Sequence, residues 1–168
     1  MVGNYICDGT LYTYNANYLS LPITLSAHLP ETVHIEGSLL TKKDEFHVSL
    51  MCVRELRKEH PAVVEKVVPD FCAFTAKNPV AFVGFTGEFR FAEEGEKKTL
   101  VAPCKVSNLE TFSKMFGNLY DVQIPLQPTH VTLYTLQPNV GIGLNSQEEM
   151  AHKSRSIIPP PEVRIIKA

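Results

Sequence analysis

No tryptophan occurs among the 168 residues, no cysteines are spaced C-x-x-C, and no apolar run approaches the length of a membrane span. Each absence excludes something. A transmembrane helix needs about 20 consecutive apolar residues, so no membrane is expected as a partner. The opening "MVGNYICDGTLYTY" lacks the basic-then-apolar order of a signal peptide, which makes a cytoplasmic location the default. Cys7, Cys52, Cys72 and Cys104 are widely and unevenly placed, and Cys52 and Cys72 lie among apolar residues. They read as structural thiols in a reducing compartment rather than as a disulfide framework or a zinc site. A basic excess is missing too: 16 Lys and Arg against 18 Asp and Glu leave a net charge of −2. Proteins that coat nucleic acid through its phosphates carry such an excess. This chain is therefore expected to grip a nucleotide or a strand end locally, and not to hold a long duplex.

What is there suffices for a core. A hydrophobic fraction of 44% and a charged fraction of 20% are those of an ordinary globular domain, and 168 residues make one domain, or one domain of two similar lobes. The first thirty residues read as a strand or hairpin followed by irregular chain broken by Asn and Pro. "ETVHIEGSLL" and "EFHVSLMCV" read as strands. From Arg54 to Pro79 the apolar period becomes helical, with two helices expected to meet near Val68. "VAFVGFTGEFRF" and "KKTLVAPCKV" are expected as two strands joined by a polar turn. "NLETFSKMFGNLY" predicts an amphipathic helix with Asn108 as N-cap and Gly117 as its stop. "PTHVTLYTL" predicts a strand, "SQEEM" a capping box opening a last short helix, and "IIPPPEVRIIKA" an extended tail. The order predicts an α+β fold with a mainly antiparallel sheet.

One phrase is written twice. "FHVSLM" begins at Phe46, and "THVTLY" begins at Thr129. In a strand, residues two apart share a face. His47, Ser49 and Met51 therefore face one way and Val48 and Leu50 the other; His130, Thr132 and Tyr134 face one way and Val131 and Leu133 the other. Each strand presents an imidazole beside a hydroxyl, with aliphatics behind. Brought together across a cleft, two imidazoles and two hydroxyls suit a phosphodiester. A neutral His can take a proton from the attacking oxygen and a protonated His can give one to the leaving oxygen. Ser and Thr can hydrogen-bond the oxygens on which charge builds. The other four histidines stand in "HLPE", "HIEG", "HPAV" and "HKSR" and lack the pattern. Zinc sites want three or four ligands of His, Cys or carboxylate type, and a hydroxyl at i+2 is a poor one, so no metal and no cofactor is expected.

With "HVSL" and "HVTL" separated by about half the chain, the sequence resembles the two-histidine (2H) phosphoesterase superfamily, which includes 2′-5′ RNA ligase-like proteins and cyclic nucleotide phosphodiesterases. The likeness runs from about Thr32 to Leu144, with "QPTHVTLYT" and "GIGL" inside it. Residues 1–31 stand as an N-terminal extension and 157–168 as a tail that match nothing in that family. The resemblance implies two pseudo-symmetric lobes of antiparallel sheet with outer helices around a central cleft. It also implies metal-independent chemistry on a 2′,3′-cyclic phosphate or 2′-5′ linkage. Its acid–base pair would be His47 and His130, and its phosphate-binding hydroxyls Ser49 and Thr132; which His is the base stays open. The substrate would be an RNA terminus or a small nucleotide. A nucleotide- or RNA-end-binding module with little turnover, and a 2′-5′ RNA ligase, are the alternatives.

Four further residues are candidates for binding substrate, each beside a plainer reading. Tyr134 continues the His130 face and is placed to stack on a base, or simply to pack. Tyr12 shares a strand face with Tyr14 as a stacking platform, or as ordinary sheet surface. Lys43, with Lys42, precedes the first His strand and is placed to steer an anion. Arg90 alternates with Phe89 and Phe91 and either reaches the cleft or is a solvated charge. Arg54, Arg57 and Lys58 read as a solvated helix face, and "GIG" at 141–143 as a turn before a helix whose start is placed to meet an anion.

Overall fold

Tight turns set the first half of the molecule. In the computed structural model, which describes residues 2–25 and 27–165, β1 (Gly3–Cys7) and β2 (Thr10–Tyr14) are joined by Asp8-Gly9, both at positive φ. That is the two-residue hairpin turn whose twist matches its strands, and Gly9 takes the left-handed conformation without a Cβ penalty. β3 (Tyr18–Ile23), β4 (Ala27–His28), β5 (Thr32–Ile35), β6 (Ser38–Lys42) and β7 (Phe46–Cys52) follow. Three helical pieces come next: α1 (Arg54–Glu59), α2 (Pro61–Val64) and α3 (Val67–Thr75). The second half consists of β8 (Phe82–Phe85), β9 (Phe89–Glu94), β10 (Lys97–Val106), α4 (Leu109–Tyr120), β11 (His130–Thr135), α5 (Gln147–Lys153), β12 (Ser154–Ile157) and β13 (Arg164–Ile165).

The fold is α+β, dominated by one open antiparallel sheet in the order β1-β2-β3-β7-β11-β10-β9-β12. β6 also joins β11, β5 joins β6, β8 joins β10, and β13 pairs with β4 apart from the sheet. Three expectations change here. The hairpin expected near the N-terminus is formed by β1 and β2, but the chain after it is not irregular: β3 extends the sheet and lies against β7, so this segment is part of the fold rather than an extension. The strand expected around Gly84 is split into β8 and β9, and both pair with β10. Gly117 does not stop α4, which runs on to Tyr120 and ends at Asp121 with positive φ.

Val48 and Val131, each fully buried, meet as the paired residues where β7 joins β11. They face a core closed by α3 and α4, in which Tyr12, Phe71 and Phe112 stack edge to face at 4.8 and 5.1 Å. The opposite face of the sheet carries the histidines. It is walled by the segment before α5 and by α5 itself, where Ile142, Leu144 and Met150 pack on Ala92 and Val101 in a second small cluster. α5 starts as expected: Ser146 Oγ accepts from the Glu149 amide at 3.0 Å.

Both His strands contain the same irregularity. Opposite β3, Ser20 pairs with Ser49 and Leu19 with Met51, which leaves Leu50 as an extra residue. Opposite β10, Val101 pairs with Thr132 and Leu100 with Tyr134, which leaves Leu133 extra. Such a bulge breaks the alternation of side chains. Leu50 and Met51 are consequently both buried, as are Leu133 and Tyr134.

The cysteines depart from expectation. Cys7 at the end of β1 is joined by a disulfide to Cys72 in α3, 65 residues away, while Cys52 and Cys104 are free thiols. Burial pushes the Cys104 thiol up to about 12. None of the helices among the described residues is long and apolar enough to cross a membrane.

Candidate active site

Antiparallel pairing at Val48 and Val131 dictates what stands on the other face. Counting one residue out on each strand puts His47 opposite Thr132 and Ser49 opposite His130. The two imidazoles occupy one diagonal of a four-residue patch and the two hydroxyls the other. The diagonal of such a patch is about 7–8 Å, short enough for groups at both corners to touch one bound anion. All four side chains, with Lys43, line a single cleft of about 590 Å³.

Each imidazole is tuned by its surroundings. His130 Nδ1 lies 2.7 Å from the Pro128 carbonyl oxygen, an acceptor only, so this nitrogen carries the proton and donates it. Nε2 remains for the cleft. Burial lowers the His130 pKa and the Pro128 carbonyl opposes that shift. His47 is pushed down to about 4, by burial first, then by Lys43, then by His130 itself. Without an anion, both rings are neutral at pH 7. A bound phosphate reverses the electrostatic part of these shifts and favours the imidazolium forms.

His47 also makes stability depend on pH. Its pKa falls from an ordinary 6.5 unfolded to about 4 folded, so the unfolded chain binds the extra proton between those values. The contribution is complete above about pH 6.5 and is lost as pH falls towards 4. Urea denaturation should show the wild type losing stability relative to His47→Gln as pH falls across this window, with the two closest in behaviour above about pH 6.5.

Lys42 closes β6 and Lys43 follows it, and their side chains separate. The Lys42 ammonium pairs with Glu31 at 2.6 Å, away from the cleft. Lys43 lines the cleft, its backbone amide donating to the Leu133 carbonyl at 2.9 Å. Burial lowers its pKa while Glu45 raises it.

Three of the expected contacts are corrected. Tyr134 lies past the Leu133 bulge, is fully buried, and donates from its hydroxyl to the Pro30 carbonyl at 2.7 Å. Tyr134→Phe should leave kcat unchanged and lower stability by about 1 kcal/mol, measured by urea denaturation beside a turnover assay. Tyr12 is a core residue rather than a platform: it is 2% exposed, its ring packs on Phe71, and its hydroxyl donates to the Val80 carbonyl at 2.7 Å. The alternation in β2 holds, but the tyrosines take the core side and Leu11 and Thr13 the cleft side. Arg90 is tied to Ser154 and Glu88 by Nε at 2.8 Å and Nη1 at 2.7 Å. It lines a separate cavity near Pro103 and Thr129.

Sequence reasoning missed the rest of the wall. Arg54, read as part of a solvated helix face, lines the cleft and donates from Nε to Asn17 Oδ1 at 3.3 Å. Tyr18 donates to Asn145 Oδ1 at 3.0 Å, and Gln127 Nε2 donates to the Leu144 carbonyl at 3.0 Å and to Asn145 Oδ1 at 3.4 Å. The Leu144 carbonyl fixes Gln127 Nε2 as a donor, so Asn145 presents oxygen to both partners. Its amide N–H groups are then left for the cleft. Polar residues in loops give no periodic signal, and only the Asx turn at Asn15, which accepts from the Asn17 and Tyr18 amides, had a local signature. At the start of α5 the Glu149 amide donates to Ser146 Oγ and the Asn145 amide to the Glu149 carboxylate, which puts a negative charge beside these donors.

Among the described residues, no group of three or more His, Cys, Asp or Glu side chains is arranged to hold a metal ion. In charge, the cleft is locally positive. Lys153 is balanced by Glu94 and Glu149, but Lys43, Arg54 and Lys97 make no ion pair among the described residues. Compared with protein-family models, curated proteins and solved structures, the chain matches none.

Proposed function

We propose that the chain is a phosphodiesterase that hydrolyses a 2′,3′-cyclic phosphate or 2′-5′ phosphodiester of RNA or of a small nucleotide, by two-histidine acid–base chemistry that needs no metal. One observation carries this reading. The Val48–Val131 pairing sets two His-hydroxyl couples on one sheet face, at the floor of one cleft.

The roles follow from the two environments. His47, with its pKa near 4, is neutral and takes a proton from water as the water oxygen bonds to phosphorus. The bond from phosphorus to the leaving ribose oxygen breaks, and His130 gives that oxygen its proton. The Pro128 carbonyl on Nδ1 stabilises the His130 imidazolium beforehand. Ser49 and Thr132 donate hydrogen bonds to the non-bridging oxygens, and Lys43 offsets their charge. In the reverse, ligating direction the two histidines exchange roles.

The resemblance to the 2H phosphoesterases also implies two pseudo-symmetric lobes, and several facts support that reading. Four strands lie on either side of the β7–β11 join. "LSLP" (19–22) in β3 flanks the first His strand and "LVAP" (100–103) in β10 the second, with Pro22 opposite His47 and Pro103 opposite His130. Each His strand bulges at the leucine after its hydroxyl residue. A cytoplasmic site of action is part of the proposal, and the Cys7–Cys72 disulfide is the feature that speaks against it.

The test is a pH–rate profile with a 2′,3′-cyclic mononucleotide and with 2′-5′-linked ApA, in the presence of EDTA. For the free enzyme, kcat/KM should be bell-shaped with its maximum on the acid side of neutrality. Its acid limb reports His47 and its alkaline limb the lowered pKa of His130. The kcat profile should lie at higher pH, because bound phosphate raises both. Tight binding of either compound with no product over long incubation would instead make the protein a nucleotide-binding module.

A further inference from the structure

The histidine cleft adjoins two grooves whose charge is opposite to its own. Beyond His47 lies a groove of about 690 Å³, with Leu11, Pro22, Ile23 and Phe46 among its walls. It is continuous with the cleft, since Asn15, Tyr18 and His47 line both. Its charged side chains are Asp44 and Glu45, and no Lys or Arg lines it. Asp44 is held by the Asn139 amide at 2.8 Å, and neither carboxylate makes an ion pair among the described residues. A second groove of about 550 Å³ shares Arg54, Asn145 and Glu149 with the cleft, and its walls add Glu55, Glu59 and Asp121. Lys43 and Lys97 line the cleft alone, and Arg54 lines both the cleft and this second groove, where four carboxylates outnumber it.

A polynucleotide carries a phosphate at every residue, and proteins that track its backbone line the whole path with Lys and Arg. Here, the two grooves that adjoin the cleft through His47 and through Arg54 are both lined by carboxylates in excess of Lys and Arg. The His47-side groove offers instead an apolar floor and an aromatic ring, which suit a nucleoside without charge.

Resting on the phosphodiesterase reading of this same cleft, we propose that its substrate is a small nucleotide with a single phosphodiester at the reacting position and an uncharged nucleoside laid in the groove beyond His47. Asp44 and Glu45 turn away molecules that bring a further phosphate into that groove. The selected class is a dinucleoside monophosphate or similar small diester, rather than the end of an RNA strand held through several phosphates.

The probes are 2′-5′-linked ApA and the same dinucleotide phosphorylated at both ends, pApAp. Whichever way round pApAp binds, one of its terminal phosphates must lie beyond His47. Binding is measured calorimetrically at low salt in His130→Ala, where turnover is suppressed, and in the same background with Asp44→Asn and Glu45→Gln. The expected result is that pApAp binds roughly fivefold or more weakly than ApA, that the ratio shrinks as salt rises, and that the two neutralising substitutions restore pApAp binding. The inference is overturned if pApAp binds as tightly as ApA, if the ratio survives the two substitutions, or if ApA does not bind. ApA bound with this discrimination, while the wild type cuts neither it nor a 2′,3′-cyclic mononucleotide, would end the phosphodiesterase reading alone. ApA cut by the wild type with no discrimination against pApAp would end this inference alone.

Discussion

His47→Ala and His130→Ala should each lower kcat by about 10²–10⁴-fold, the usual worth of a positioned general acid or base. The two should differ in what remains. His47→Ala removes the base and with it the acid limb of the pH profile. His130→Ala removes the acid and with it the alkaline limb. Because both histidines serve one transfer, the double variant should cost little more than either single one. Ser49→Ala and Thr132→Val, which each delete one donor to the developing charge, should cost roughly 10² in kcat without moving either limb. Wild-type turnover in either alanine variant would end the proposal. Nothing in the core depends on these side chains, since Val48 and Val131 do the packing on the opposite face, so thermal unfolding should show both variants folded.

The second large effect concerns stability. The Cys7–Cys72 link closes a loop of 65 residues, and removing such a constraint typically costs 2–4 kcal/mol. For a chain of this size each kcal/mol corresponds to about 2–4 °C in Tm. Reduction, or Cys7→Ala with Cys72→Ala, should lower Tm accordingly, while titration of the oxidised, denatured protein should find two thiols, Cys52 and Cys104. Four thiols in protein kept from reductant would remove the bond from the account. The link ties the edge strand β1 to α3, behind the face on which Leu11 and Thr13 line the groove beyond His47. Its loss should therefore raise KM for diesters more than it lowers kcat.

How much of this was readable beforehand varies with the physical signal involved. The two His strands and the faces of Val48 and Val131 were legible because period-two alternation in a half-buried strand admits one arrangement. α5 was legible from its capping box. Tyr134 was misread because a bulge at Leu133 has no local signature and shifts every later residue by one face. Tyr12 was misread because alternation tells which residues share a side but not which side is wet. Arg90 depended on Ser154, 64 residues on, and the cysteine pair on two elements distant in sequence. The match of "LSLP" with "LVAP" was hidden by its length. These segments are 81 residues apart and the His segments 83, and they share only leucine and proline, residues that make few demands on a partner.

The crossed placement of the four polar side chains has one more consequence. Each imidazole faces the hydroxyl of the other strand, so neither half of the polypeptide owns a working couple, and no local fragment can retain turnover once the join at Val48 and Val131 parts. Catalytic rate is in that sense a gauge of global integrity. On gentle heating it should fade in step with near-ultraviolet dichroism rather than ahead of it, as a single cooperative loss.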